Sequence, residues 1–173
     1  MLSSSENTGE FAEGKLIMDI GSGHGYPAAA LSNFSPHAFV FRGIPVASME
    51  GLLQSFKEKN PDMQKHVMTL VGRAAKFKGK KKKWWRTQTL FWQGTPIDRH
   101  SDEYQALLDE AYTAMFTQNE SARRALLATQ NAVLTHSMGK SDPKQTVLTE
   151  REFCSRLMKI RTQLQSAASR QNR

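Results

Sequence analysis

The chain has 173 residues, with 24 Lys and Arg against 16 Asp and Glu, a formal net charge of +8, and one cysteine, Cys154. That length suits one domain, and a single cysteine excludes an intrachain disulfide framework and a multi-cysteine zinc site while suiting a reducing compartment. No apolar run approaches the roughly 20 residues of a membrane span. The start, MLSSSENTGEFAEG, has neither the basic nor the apolar region of a signal peptide, so the cytosol is the default expectation, with no membrane partner.

The charge is not spread evenly. Arg73 to Arg86 holds eight basic residues and no acidic one, which leaves sixteen of each sign in the rest of the chain. The protein reads as neutral with one basic hot spot, and the partner of that segment becomes the question. A hydrophobic fraction of 39% with nine Phe can build a core, since a domain of roughly 150 residues buries about 70% of its unfolded surface.

In chain order, residues 1–14 are polar and rich in Ser, Glu and Gly, and are expected to form a loosely ordered tail before a domain spanning 15–166. Lys15–Ile20 reads as a strand, Gly21–Pro36 as a loop, and Ala38–Val46 as a second strand with a turn at Arg42–Gly43. From Ser48 the pattern turns helical. Met49, Leu52, Leu53 and Phe56 recur at the spacing of a buried helix face. Asn60–Pro61 starts a helix expected to reach about Ala75. Ser101 opens another through Phe116, and Asn119 caps a shorter one ending near Thr129. Thr149 and Glu152 form a capping box, with Leu148 and Phe153 placed as its hydrophobic staple. The helix that follows has the stripe Phe153, Leu157, Ile160 and Leu164. Residues 167–173 are expected to fray. The whole reads as one α+β domain, mostly helical, with a small sheet.

Several groups could carry chemistry. Asp19-Ile-Gly-Ser-Gly-His-Gly25 looks like the glycine-rich loop of a methyltransferase. Tyr26–Pro27 and Asn33-Phe-Ser-Pro36 break any helix after it, and no alternating strand and helix series follows, so a ligand-lining or structural loop is the better reading. Glu50 and Gln54 stand at i and i+4 on the first helix, and both can face one cleft. Glu50 lies in the first turn, where the helix dipole favours a carboxylate. Lysines beside Trp84, Trp85 and Trp92 suit phosphate contact with base stacking, although a solvated loop anchored by its tryptophans gives the same pattern. His136 to Pro143 is a polar loop that feeds the helix starting at Thr149, and its Gly139 and Lys140 could meet an anion there. The histidines are too scattered to suggest a metal site.

Together these blocks resemble the NADAR, or YbiA-like, family. The residues that carry the resemblance are Leu31-Ser-Asn-Phe34, then Ser48-Met-Glu-Gly-Leu-Leu-Gln-Ser55, which looks like the family's T-x-E-H-x-x-Q-A helix, then Leu126-Leu-Ala-Thr129 and the loop His136 to Lys140. It covers about Gly14 to Leu164, and its wording is that of a bacterial and phage subgroup. The resemblance implies a compact α+β fold with a pocket for ADP-ribose or a related ribosyl phosphate, and cleavage of an N-glycosidic bond in a ribosylated or ADP-ribosylated base or nucleotide, without metal or redox cofactor.

Breaking a ribose–nitrogen bond passes through an oxocarbenium-like state that needs a carboxylate beside the anomeric carbon. Glu50 matches the family's helix glutamate and is assigned that role. Gln54 and Asn33 match polar positions that would hold ribose hydroxyls or the base edge, with Ser137, Gly139 and Lys140 in the late loop. Tyr26, Trp84 and Trp92 are candidates to stack on a base, and Arg73, Lys76 and Lys78 to meet phosphate. The late loop reads His136-Ser-Met-Gly139 where the commoner family pattern has an Asp and a Trp. A second acidic group is therefore open, with Asp98, Asp102 and Asp142 as the options. Two other functions fit the sequence: a sensor that binds NAD or ADP-ribose without turnover, and a nucleic-acid-binding protein that touches DNA or RNA through Lys80, Lys81, Lys82, Lys83 and Arg86.

Overall fold

The computed structural model describes residues 11–12 and 14–172 and gives an α+β single domain in which helices dominate. Strand β1 (Phe11–Ala12) pairs antiparallel with β2 (Lys15–Asp19), and β2 pairs in parallel with β7 (Val133–Thr135), which returns from the far end of the chain. Two further sheets are hairpins, β3 (Phe39–Phe41) with β4 (Ile44–Val46) and β5 (Thr89–Trp92) with β6 (Thr95–Asp98). Among the described residues the expected small sheet is thus three separate ones. Pairing begins at Phe11, four residues before the predicted start of the domain at Lys15. Of the tail expected over 1–14, residues 1–10 and 13 lie outside the described residues.

Both hairpins turn on two residues with positive φ. These are Arg42–Gly43 (49° and 80°) and Gln93–Gly94 (46° and 88°), the backbone geometry that matches the twist of the flanking strands. The first turn is legible in the sequence. The second is missed because the sequence reading assigns no strands to the segments that flank Gln93–Gly94.

Helix α1 (Met49–Ser55) begins at Ser48, whose Oγ accepts from the Gly51 N–H at 3.0 Å and donates to the Leu70 carbonyl at 2.9 Å. The helix expected over 61–75 is two: α2 (Pro61–Met68) and α3 (Gly72–Lys80). Asn60 caps α2 as read, its Oδ1 accepting from the Met63 N–H. The run then breaks because α1's own start competes for it. The Ala47 N–H takes the Met68 carbonyl, Ser48 takes that of Leu70, and Gly72 turns the chain at φ 57°. Most of the basic segment therefore lies on α3 and on a 3-10 turn at Trp84–Arg86, rather than in one loop.

Helices α4 (Asp102–Gln118), α5 (Glu120–Ala128) and α6 (Glu150–Gln171) start at the caps read from sequence, Ser101, Asn119 and Thr149, and the Thr149–Glu152 capping box is complete. The last helix continues to Gln171 with exposed residues from Gln165 onward, where the sequence suggests an end near Ala167. One core joins Met49, Leu52 and Leu53 of α1 and Phe56 just after it to Tyr104, Leu108 and Tyr112 of α4 and to Phe153 and Leu157 of α6.

A buried ion pair fastens the second half of the chain. Arg99, 1% exposed, follows β6 and meets Glu152 through Nη1 at 3.1 Å and Nη2 at 2.6 Å, and its Nε donates to the Thr146 carbonyl at 2.9 Å. Its guanidinium lies 4.9 Å from the Tyr104 ring centre. Burial alone would raise the Glu152 carboxyl, but hydrogen bonds from Arg99, the Thr149 N–H and Gln105 outweigh it and hold the group below the usual glutamate range. A depressed carboxylate contributes stability above its unfolded pKa of about 4.3, which is lost as pH falls through the folded value. Replacing Arg99 by Met leaves Glu152 short of its partner in a largely buried place. It should cost about 3–5 kcal/mol and flatten the fall in stability below about pH 4, both read by urea unfolding across pH. A loss under about 1 kcal/mol would show that the clamp matters little.

Candidate functional site

The site is built around α1, every residue of which is buried. Its apolar members face the core, while Glu50 and Gln54, one turn apart, lie on the side toward α3. Glu50 is 9% exposed. Its Oε1 accepts from Gln54 Nε2 at 2.9 Å, and its backbone N–H donates to the Asn33 carbonyl at 3.0 Å. Asn33 is fixed in turn by Tyr112, whose hydroxyl donates to Asn33 Oδ1 at 2.8 Å. Three residues named from the sequence, Asn33, Glu50 and Gln54, therefore sit together, and Tyr112 of α4 joins them.

Burial pushes the Glu50 carboxyl above its ordinary value. The Gln54 hydrogen bond and the positive charges of Lys76, Lys57 and His136 pull the other way without cancelling it. Burial acts oppositely on Lys57, just past the end of α1, and lowers its ammonium to about 8, although the nearby Glu50 charge works to raise it and Lys140 and Lys76 add to the lowering. The Lys57 Nζ is turned toward the α3 carbonyl of Gly79 at a long 3.4 Å. A carboxylate and an amine are thus held close to each other in a dry setting, with both charges softened.

Gln54 Oε1 has no partner among the described residues. It lies against Gly79, where a Cβ would collide with it, so only glycine at this point of α3 allows the side chain of Gln54 to reach Glu50. Gly51 is constrained likewise: a Cβ there would come 2.5 Å from the Leu70 carbonyl. The histidine of the family-like pattern has no room at this position.

The late loop closes another side. Asp19, at the end of β2, accepts from the Ser137 N–H at 2.7 Å, the Ser137 hydroxyl at 2.6 Å and the Thr135 hydroxyl at 2.9 Å. Burial would raise its carboxyl, but these bonds hold it below the usual range. Glu150, at the start of α6, accepts from the His136 N–H at 2.9 Å, and its own N–H donates to the Lys140 carbonyl at 3.0 Å. His136 contacts the Ile20 carbonyl at 2.8 Å through Nδ1 and the Phe153 ring edge-on. Gly139 packs so closely on His136 that a Cβ there would come 2.6 Å from its ring. Ser137 and Gly139 shape this loop, then, and the loop delivers Lys140 and His136.

The remaining expectations divide. Lys76 lies near Glu50, with its Nζ 5.8 Å from the Phe34 ring centre. Arg73 and Lys78 share its helix, Arg73 exposed and Lys78 half-buried. Tyr26 is 68% exposed and offers a ring. Trp84 does not, being buried in the core at 7% exposure. The ring of Trp92 is flanked by Phe41, Phe56 and the Arg42 guanidinium, and only half-buried. Trp84 therefore anchors the 3-10 turn in the core, while Trp92, on β5, packs edge-on against Phe41 and Phe56 and keeps part of its ring exposed. The acidic options are spent on local turns: Asp98 accepts from the His100 N–H and Asp142 from the Lys144 N–H, and Asp102 is exposed in the first turn of α4. The carboxylates tied to the late loop are Asp19 and Glu150 instead. Lys57 and Tyr112 were not legible either. One reads as an ordinary lysine after a helix and the other as a core tyrosine, and only the packing of α3 and α4 on α1 gives them their neighbours.

The family model described as Bacteriophage protein GP30.3 matches residues 25–162, a span that holds Asn33, Glu50, Gln54, Lys57, Tyr112 and the late loop. The chain is 38% identical over 151 residues to the uncharacterized 17.1 kDa protein in the Gp30–rIII intergenic region of Enterobacteria phage T4, covering 85% of this chain and 98% of that protein. In three dimensions it is similar to the E. coli protein YbiA, with a TM-score of 0.60 at 18% identity over 97% of this chain and 95% of the other. The fold is therefore YbiA-like, and the chain belongs to the bacteriophage GP30.3 protein family.

Proposed function

We propose that this chain is an N-glycosidase of the NADAR kind, hydrolysing the bond between ribose and nitrogen in a ribosylated or ADP-ribosylated base or nucleotide. The observation that carries this reading is the buried Glu50 carboxylate, bonded by Gln54, resting on Asn33 and facing Lys76, Lys57 and His136. The YbiA-like fold supports it.

In this reaction the C1′–N bond breaks with its electron pair going to the base, and the oxygen of a water molecule bonds to C1′ in its place, leaving a free ribose hydroxyl. Glu50, ionised, steadies the positive charge growing at C1′ and accepts the proton from the attacking water. In a dry site that charge is worth more than it would be in bulk water. Lys57, still protonated at neutral pH, keeps Glu50 ionised and is placed to protonate the departing nitrogen. Gln54 and Asn33 orient the ribose, Lys76 and Lys140 neutralise its phosphates, and no metal or redox cofactor takes part.

Glu50→Gln should lower hydrolysis of a substrate that the wild type cleaves by about 10²–10⁴-fold, with the circular dichroism spectrum and ADP-ribose binding kept. A variant with full turnover would end this reading. Tight ADP-ribose binding by the wild type, with no product by mass spectrometry across a panel of ribosylated substrates, would leave the non-catalytic sensor in its place.

The two opposed shifts also set a pH profile. Activity should rise as Glu50 loses its proton, at a pH above the ordinary glutamate value, and fall as Lys57 loses its own at about 8. Because Lys57 is one of the charges that lower the Glu50 pKa, Lys57→Met should move the rising limb to higher pH and remove the falling limb near 8. An unchanged profile would exclude Lys57 from the chemistry.

A further inference from the structure

A shallow groove of about 630 Å³ opens beside the site and is lined by Trp85, Gln88, Lys140, Lys144 and Gln145. Its size falls in the range of small-ligand pockets, and it has no acidic lining residue. Trp85 is 53% exposed while its neighbour Trp84 is 7%. The 3-10 turn Trp84–Arg86 anchors the first indole in the core, which obliges the second to face outward, and the Arg86 guanidinium lies 5.5 Å from the centre of its ring. A large indole kept half in water beside cations, in a chain with ample core, serves no folding purpose that the structure reveals.

The two walls of the groove are tied together. Gln88, a non-glycine residue at φ 55°, donates through Nε2 to the Trp85 carbonyl at 2.8 Å and to the Lys144 carbonyl at 2.9 Å. Its Oε1 meets His100 Nε2 at 2.9 Å. The stacking face and the lysine loop are therefore preset, which lowers the ordering cost of binding. Lys140 is common to this groove and to the Glu50 site, since its charge acts on Lys57.

We propose that this groove holds an unpaired nucleotide of a single-stranded polynucleotide, its base stacked on Trp85 and its phosphates met by Lys140, Lys144 and Arg86. The shared Lys140 then lets the adjoining nucleotide enter at Glu50. That last clause rests on the N-glycosidase reading, whereas strand binding does not. The arrangement favours nucleic acid over an acidic peptide because a flat ring flanked by cations matches the alternation of base and phosphate. It favours single strands because a paired base has no free face to offer. The site differs from the run Lys80 to Lys83 expected from sequence. Within that run Lys82 is paired with the buried Glu58 at 3.0 Å, and Lys81 lies 4.6 Å from the centre of the exposed Phe77 ring.

The test is fluorescence anisotropy with a labelled, unmodified single-stranded oligonucleotide and its duplex, over a range of salt. The wild type should bind the single strand more tightly than the duplex. Trp85→Ala should weaken single-strand binding by roughly 5–150-fold, the range for losing one base stack. Lys140→Gln with Lys144→Gln should reduce the salt slope by about 1.4. Phe77→Ala, the removal of an exposed aromatic outside the groove, should leave binding unchanged. Circular dichroism of each variant should match the wild type. Preference for duplex, equal losses in Trp85→Ala and Phe77→Ala, full binding by Trp85→Ala, or equal competition by poly-glutamate would each overturn the proposal. A wild type that binds the unmodified strand in this way but cleaves no ribosylated substrate would support the groove while ending the N-glycosidase reading.

Discussion

Helix α1 is seven residues long and buried on all sides, and the rest of the molecule is arranged to make that possible. A helix of this length has little stability of its own, so its neighbours hold it: α2 and α3 on one flank, α4 and β4 on others. Gly51 permits the Leu70 backbone to approach, and Ser48 joins the first turn of α1 to that same carbonyl. Because the helix has no solvent face, any polar side chain on it is buried whatever its direction. Glu50 and Gln54 are therefore desolvated by the same packing that forms the core around Leu52, Leu53 and Phe56.

That burial acts on the acid and on the base in opposite directions. It raises Glu50 and lowers Lys57, and the attraction between the two partly restores the charge of each. Neither would have an unusual proton affinity in water, and a buried, unpaired charge would be far more costly than this partly balanced pair. The Arg99–Glu152 clamp works on another principle. Its geometry is bidentate and supplemented by Thr146, Thr149 and Gln105, and these bonds hold the Glu152 carboxyl below the usual glutamate range. What separates the two pairs is the number of hydrogen bonds each group receives.

The basic segment loses its unity once folded. Lys76 turns to Glu50, Lys82 to Glu58, Lys81 to Phe77 and Arg86 to Trp85. A run that is contiguous in sequence is spread by α3 and the following 3-10 turn over several parts of the surface. The excess of +8 is therefore divided between the Glu50 site, the packing of α3 and the rim of the Trp85 groove.

The sequence by itself determined the features that depend on near neighbours in the chain: the caps at Ser48, Asn60, Ser101, Asn119 and Thr149, the apolar stripes of α1, α4 and α6, the Arg42–Gly43 turn, and the pairing of Glu50 with Gln54 one turn apart. Caps and stripes follow from local hydrogen bonding and from the helical period, so they can be read without a fold. The tertiary structure alone decided everything that depends on what arrives from a distance. The break after α2 comes from competition by Ala47 and Ser48 for the carbonyls of Met68 and Leu70. Trp84 and Trp85 are sent to opposite sides by a turn with no marked signature. Lys57, Tyr112 and Asp19 acquire their roles from partners 22 to 118 residues away. A side chain's burial and charge environment is a sum over neighbours in space, and for Glu50 those neighbours come from α1, α3, α4 and the two loops that close over it.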